Sequence, residues 1–201
     1  MSDREATLRA LDVSRETIER LDKLASLLER WNPRINLVSR ASIGSLWNRH
    51  ILDSAQLLDL APKTGRWVDL GSGGGFPGLV IALMSDRRMI LVDADQRKCS
   101  FLRTVLRETR AEADVVCGRI EDIEPLHADV LSARALAPLT TLLEYAERHL
   151  MPHGVALFPK GRTCEREIED ALAKRRFDCE KVPSTTDPEA VVLRIGGITR
   201  V

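Results

Sequence analysis

The segment Asp69-Leu70-Gly71-Ser72-Gly73-Gly74-Gly75-Phe76-Pro77-Gly78 constrains the fold of this chain more than any other. Before it, Arg66-Trp67-Val68 joins Asp69-Leu70 in a short apolar run that reads as a buried strand. After it, Leu79 to Met84 reads as a helix. Strand, glycine loop and helix in that order form the layout of a nucleotide-type cofactor site. Glycine reaches positive φ and lets a ligand approach the backbone closely. The start of a helix presents unpaired N–H groups and a positive dipole end. Pro77 suits the first helical position, where no N–H is needed.

The loop fits two templates. Gly73-x-Gly75-x-x-Gly78 matches the dinucleotide fingerprint. Asp69-x-Gly71-x-Gly73-x-Gly75 matches the loop that class I methyltransferases use for S-adenosylmethionine. Both expect an acid after the second strand to hold ribose hydroxyls, and Asp93 follows Met89-Ile90-Leu91-Val92. Asp69 separates the templates, because it would face a ligand ammonium, which S-adenosylmethionine has and NAD lacks. A bare glycine turn without a ligand is the bland alternative.

The length of 201 residues suits one good-sized domain with an appendage, divided here as a helical segment over 1–60 and an α/β domain over 61–201. With 44% hydrophobic and 30% charged residues, the composition is that of a soluble globular protein. No apolar run reaches transmembrane length, the first residues do not read as a signal peptide, and a cytoplasmic location is expected. Cys99, Cys117, Cys164 and Cys179 lack zinc-type spacing and read as reduced thiols in or near the core. No metal site is expected.

Thirty basic residues balance thirty acidic ones, so overall charge announces no nucleic-acid binder. The distribution is more telling. Arg30 to His50 contains no acid, yet holds Arg30, Arg34, Arg40 and Arg49 together with Trp31 and Trp47. Arginines with interleaved aromatics suit phosphate binding and base stacking. The alternative is an amphipathic segment whose tryptophans anchor it to the main domain.

Ile18, Leu21, Leu24, Leu27, Leu28 and Trp31 recur at helical spacing, with Ser14 as N-cap and Pro33 as the stop. Shorter helices follow between Ser42 and Leu60. Beyond Ala61–Gly65, strands and helices alternate. Helices are expected over 95–110, 138–150 and 164–174. Strands are expected over 114–117, 129–132, 155–158, 178–182 and 190–195. The alternation predicts a mostly parallel sheet covered on both faces. The closing pair, with no helix between, predicts a hairpin and hence one antiparallel strand.

Ligands in such sheets bind outside the carboxyl ends of the strands. That rule gathers Gly71 to Phe76, Asp93, Ile120 with Glu121, Ser132 to Arg134, and Lys160 with Gly161 onto one rim. Each has a plain structural alternative, such as a solvated loop at Glu121 or an ion pair at Arg134. There is no Pro-Cys pair for a cysteine nucleophile, and no Asp/Asn-Pro-Pro-aromatic element for amine methylation. A target with an available lone pair, such as guanine N7, needs neither. Transfer to it can rest on proximity and orientation.

The chain resembles the RsmG (GidB) family of bacterial small-subunit ribosomal RNA methyltransferases. The resemblance rests on Trp31-Asn32-Pro33-Arg34-Ile35-Asn36-Leu37, Arg49-His50-Ile51-Leu52-Asp53-Ser54, the glycine loop with Pro77-Gly78, Leu91-Val92-Asp93, Phe101-Leu102-Arg103, Ser132-Ala133-Arg134-Ala135 and Pro159-Lys160-Gly161. It implies a class I S-adenosylmethionine-dependent, Rossmann-like α/β fold with an N-terminal helical appendage. It also implies N7 methylation of one guanine, position 527, in the 530 loop of 16S rRNA. Cofactor positions carry over to Gly71, Phe76, Ile120, Glu121 and Arg134. With the motif reading, the cofactor set becomes Asp69, Gly71, Gly73, Gly75, Phe76, Asp93, Ile120, Glu121 and Arg134. Arg134 is the catalytic candidate between cofactor and target base. Arg34, Arg49 and Lys160 are the RNA-binding candidates, while His50 and Asp53 are candidates for a structural role. Gly74 stands where many relatives carry proline or alanine. The expected partner is the 16S rRNA of the small ribosomal subunit, met by a monomer. A small NAD-dependent oxidoreductase and a non-catalytic RNA-binding assembly factor remain open as alternatives.

Overall fold

The computed structural model describes residues 2–200. Between residues 3 and 60 every element is helical. Helix α1 spans Asp3–Ala10 and α2 spans Arg15–Ile35. The Ser14 hydroxyl accepts the Thr17 N–H at 3.1 Å, the expected N-cap. Pro33 does not stop α2. It lies in the last turn, and the helix ends three residues later at Asn36, whose φ of 50° is left-handed. A proline so near the end removes little, and asparagine tolerates that conformation. The Asn32 side chain then accepts the Val38 N–H at 2.9 Å, turning the chain back. A 3-10 turn (Arg40–Ser45), a π-helical turn (Trp47–Leu52) and the short helices α3 (Asp53–Ala55) and α4 (Leu57–Leu60) follow.

Seven strands form one sheet: β1 (Trp67–Leu70), β2 (Met89–Asp93), β3 (Ala113–Cys117), β4 (Ala128–Ala133), β5 (Leu150–Lys160), β6 (Arg175–Pro183) and β7 (Val191–Arg200). The order is β3-β2-β1-β4-β5-β7-β6. Only β7 runs against the others, so the predicted single antiparallel strand is present. Helices α5 (Gly78–Met84), α6 (Gln96–Thr109), α7 (Leu139–His149) and α8 (Cys164–Leu172) cover the two faces. The strand period of two sorts the core. Trp67, Met89, Leu91 and Val130 join a cluster with α5, α6 and the Leu21, Leu24 and Leu28 stripe of α2. Val68, Leu70, Ile90 and Leu131 join α7 and α8 on the opposite face.

Two expectations change. Strand β5 begins at Leu150 rather than Val155, because Leu150 pairs with Ala128 ahead of a register irregularity. Pro152 and Gly154 disguise that extension as a turn. Only Cys99 and Cys164 lie in the core; Cys117 and Cys179 are exposed. Both exposed thiols sit on β3 and β6, the sheet's edge strands, where a side chain has a neighbour on one flank only.

One buried polar chain pins the sheet beneath the glycine loop. The Trp67 indole N–H donates to Ser132 Oγ at 2.9 Å, and that hydroxyl donates to Asp69 Oδ1 at 2.7 Å. The other Asp69 oxygen accepts the Gly78 N–H at 3.1 Å, at the first residue of α5. Trp67, Asp69 and Ser132 have no solvent exposure. Ser132→Ala would leave a buried carboxylate oxygen and an indole N–H without their partner. We expect a loss of roughly 1–3 kcal/mol for each group so orphaned, read from the urea denaturation midpoint. An unshifted midpoint would show that the chain of bonds is not structural.

Candidate active site

A cleft of about 640 Å³ opens at the carboxyl ends of the strands. The glycine loop (Gly71 to Gly74) and Phe76 form its floor, Arg134 and Lys160 one wall, and Ser39 to Asp53 the opposite wall. The β6–β7 loop closes a third side with Thr186, Asp187 and Ala190. That side follows from topology: antiparallel β7 starts at Val191 beside Lys160, the last residue of β5.

The loop needs its glycines for stated reasons. Gly71 has a φ of 66°, and a Cβ there would meet Leu136 Cδ1 at 2.6 Å. Gly73 and Gly75 also have positive φ. A Cβ on Gly73, however, would come no closer than 3.6 Å to protein. Gly74 is where the appendage presses on the loop, since its Cβ would lie 3.0 Å from the Leu37 carbonyl. An alanine at this position needs the Leu37 turn to give slightly. Asp93 holds the loop from the next strand. Its Oδ2 accepts the Gly73 N–H at 2.8 Å and its Oδ1 the Asp95 N–H at 2.8 Å.

Arg134 is the hub of the cleft. Its Nη1 donates to Asp53 Oδ2 and to the Arg49 carbonyl, both at 3.2 Å, and its Nη2 donates to His50 Nδ1 at 2.7 Å. Its guanidinium lies 5.2 Å from the centre of the Phe76 ring. His50 stacks on that ring as well, at 4.9 Å and 29°. Asp53 Oδ1 in turn accepts from Thr186 at 2.9 Å. Of the five donors of a guanidinium, two are left for a ligand. The Arg134–Asp53 ion pair is therefore real, and it stands at the cleft instead of away from it.

The other expected residues divide. Gly71, Gly73, Phe76, Arg49, Lys160 and Arg134 line the cleft together. Asp69 sits behind the loop with its carboxylate turned inward, so it shapes the site and cannot touch an ammonium directly. Lys160 is a rim residue whose ammonium is engaged. It donates to Glu167 at 2.7 Å and to the Ala137 carbonyl at 3.1 Å, with its side chain 10% exposed. Two of its three donors are thereby committed within the protein. Ile120 is buried, and its carbonyl is bonded to His149 at 3.0 Å. Glu121 accepts from the Tyr145 hydroxyl at 2.7 Å. Arg34 is exposed at the last turn of α2, outside the cleft. The tryptophans anchor. Trp47 is buried, and Trp31 packs 5.7 Å from Phe101 of α6. Arg30, Arg34, Arg40 and Arg49 are all exposed or half-buried, and among the described residues none enters an ion pair. The sequence reading missed Thr186, Asp187 and Ala190, which no motif marks.

Burial foremost, then the charges of Arg134 and Arg49, push the His50 imidazole down to about 3. It is neutral at working pH, with Nδ1 accepting from Arg134 and the proton on Nε2. Burial pushes the Asp69 carboxyl up to about 6, against the Ser132 hydroxyl bond.

The sheet order, the acid after β2 and the glycine loop define a class I S-adenosylmethionine-dependent methyltransferase. A TehB-like S-adenosylmethionine-dependent methyltransferase from Corynebacterium glutamicum shares the fold, with a TM-score of 0.60 at 15% identity over 85% of this chain and 98% of that one. The sequence profile of GidB, rRNA small subunit methyltransferase G, matches residues 17–190, and the chain belongs to that family. Ribosomal RNA small subunit methyltransferase G of Ruegeria pomeroyi is 53% identical over 95% of this chain and 96% of its own length. Its namesake in Ruegeria sp. strain TM1040 is 50% identical over the whole of both chains.

The shift at His50 has a signed consequence. The unfolded imidazole takes a proton below about 6.5, whereas the folded one stays neutral until about 3. Its stability contribution is complete above 6.5 and is lost as pH falls through that window. Asp69 acts oppositely, because its folded carboxyl takes a proton before the unfolded one does. His50→Asn keeps an acceptor for Arg134 but cannot titrate. We expect the stability gap between wild type and His50→Asn to be wider at pH 7 than at pH 4.5, measured by urea denaturation. A gap equal at both values would refute the neutral, buried assignment.

Proposed function

We propose that this chain transfers the methyl group of S-adenosylmethionine to N7 of the guanine at position 527 in the 530 loop of 16S rRNA. It acts in the cytoplasm, as a monomer, on RNA of the small ribosomal subunit. One observation carries the reading: a single cleft unites the glycine loop, Arg134 and Arg49, the last being one of the four arginines of the Arg30 to His50 stretch that, among the described residues, enter no ion pair. S-adenosylmethionine supplies an electrophilic methyl on a sulfonium. The chain's own residues bind and orient. Gly71 and Gly73 let the ligand lie against the loop, Asp93 takes the ribose, and the backbone at Ile120 and Glu121 bounds the adenine. Phe76 and Arg134 flank the position of the target base.

Guanine N7 carries a lone pair, so no proton need be removed before transfer. The cleft suits that chemistry. His50 is bonded to Arg134, Asp53 to Arg134 and Thr186, and Asp187 to the Glu189 N–H. Arg134 stays protonated and cannot act as a base. Its role is to hold base and cofactor in line.

The decisive experiment is methyl incorporation into small-subunit rRNA from cells lacking the modification, with the product mapped by nucleotide. We expect a single N7-methylguanine at position 527; methylation elsewhere, or none, overturns the reading. Arg134→Lys keeps the charge but loses the fork. Transfer should fall about 10- to 100-fold, as expected from roughly 1.5–3 kcal/mol per charged hydrogen bond, with cofactor affinity changed less. Near-wild-type transfer would remove Arg134 from the reaction.

The row of arginines has its own test. Arg34→Glu should weaken RNA binding and lower its salt slope by about 0.7–0.9 for each phosphate no longer neutralised, leaving S-adenosylmethionine binding intact. An unchanged slope would make the row a solvated face.

A further inference from the structure

At the end of the sheet opposite the cleft, where β1, β2 and β4 begin, lies a second concavity of about 980 Å³. Lys63, Arg66, Arg87 and Arg88 line it, against the carboxylates of Asp86 and Asp129. Among the described residues none of these four cations forms an ion pair. Asp129 is already occupied, since its Oδ2 accepts the backbone N–H of Arg66 at 2.7 Å.

Two of the guanidinium groups are held in place yet incompletely bonded. Arg66 donates from Nη1 to the Leu126 carbonyl at 2.7 Å, but its Nε is buried without a partner. Arg87 lies 5.3 Å from the centre of the Trp67 ring and donates from Nη2 to the Pro62 carbonyl, but its Nη1 is buried without a partner. Buried donors of charged groups are expensive to leave unmade. Both residues line the cavity, and with exposed Lys63 and Arg88 at its mouth they place four cations free of ion pairs around one concavity, a receptor for an anion rich in oxygen acceptors. A phosphate group meets that description, because arginine forks fit its geometry.

We propose that this cavity receives a backbone phosphodiester of small-subunit RNA, giving the protein a second RNA-binding site remote from the methyl-transfer cleft. The inference rests on the RNA substrate proposed above. The strands between the two sites rise about 3.3 Å per residue, and β2 has five residues, so the sites, lying beyond opposite strand ends, stand more than about 13 Å apart. Both are filled together only by an RNA that passes around the sheet, or by two segments of a folded RNA. The substrate is then recognised as a three-dimensional surface as well as a loop.

The test uses the full chain with Lys63→Glu and Arg88→Glu combined, both at exposed positions outside the core. Binding to small-subunit rRNA is measured across salt concentrations, with S-adenosylmethionine affinity as the folding check. The salt slope should fall by about 0.7–0.9 for each phosphate that the variant no longer neutralises, with cofactor affinity unchanged. Arg15→Glu combined with Lys181→Glu changes net charge equally at other exposed positions and should leave the slope alone. An unchanged slope in the first variant, or an equal fall in the control, overturns the proposal. In either case a lowered slope for Arg34→Glu leaves the proposed function standing, whereas an unmethylated rRNA removes both. Inorganic phosphate separates the sources. If it raises the melting temperature of the wild type and not of Lys63→Glu/Arg88→Glu while the rRNA slope stays unchanged, the cavity serves free phosphate and the RNA assignment is wrong.

Discussion

The Asp69 carboxylate, sealed from solvent at the end of β1, is the constraint on which the rest of the site depends. A buried charge of this kind is tolerable only if it is fully bonded. Its two oxygens are therefore committed to β4 through Ser132 and to the start of α5 through Gly78. Those two bonds tie the end of β1 both to β4 and to the first residue of α5. The glycine loop between them has little freedom left. Asp93 then grips it from the far side at Gly73. The cleft floor is held because two carboxylates on adjacent strands bond its backbone.

The walls are organised by a different logic. Arg134 draws in His50 and Asp53 from the appendage, and Asp53 draws in Thr186 from the β6–β7 loop. Gln56 reinforces the same junction by accepting the Thr185 N–H at 2.9 Å. Appendage, central sheet and hairpin loop thus meet through side chains rather than through a continuous strand or helix. Phe76, packed against both His50 and Arg134, gives that polar junction an apolar floor. The π-helical turn at Trp47–Leu52 adds to the picture. Such turns re-aim side chains and recur at functional sites, and here the turn delivers His50 to the ring.

Much of this was legible in the sequence because it is local. The glycine loop, the Ser14 cap, the α2 stripe and the hairpin that makes β7 antiparallel all follow from spacing. So does the gathering of Gly71, Phe76 and Arg134, because strand ends of a parallel sheet share one rim. The inward turn of Asp69 was not legible. It depends on Ser132, sixty-three residues away, and a motif does not say which side of the loop an acid faces. The Lys160 ion pair was hidden for the same reason, since its partner Glu167 comes from another element. Thr186 and its neighbours gave no signal at all, because their place follows from one antiparallel strand and carries no residue pattern. Pro33 misled in a milder way: helix-ending rules weigh the proline, while the left-handed Asn36 cap decides the boundary.

The order of β6 and β7 has a consequence for the life of the chain. β7 is made after β6 yet lies between β6 and β5. Synthesis proceeds from the N-terminus, and chains begin to organise as they emerge. Until β7 exists, β6 has no neighbour to pair with, and the loop bearing Thr186 has no anchor beside Lys160. The third wall of the cleft therefore cannot close on a partly made chain. A nascent copy, held on the very kind of particle whose RNA its family modifies, carries an open-sided cleft until translation has passed β7.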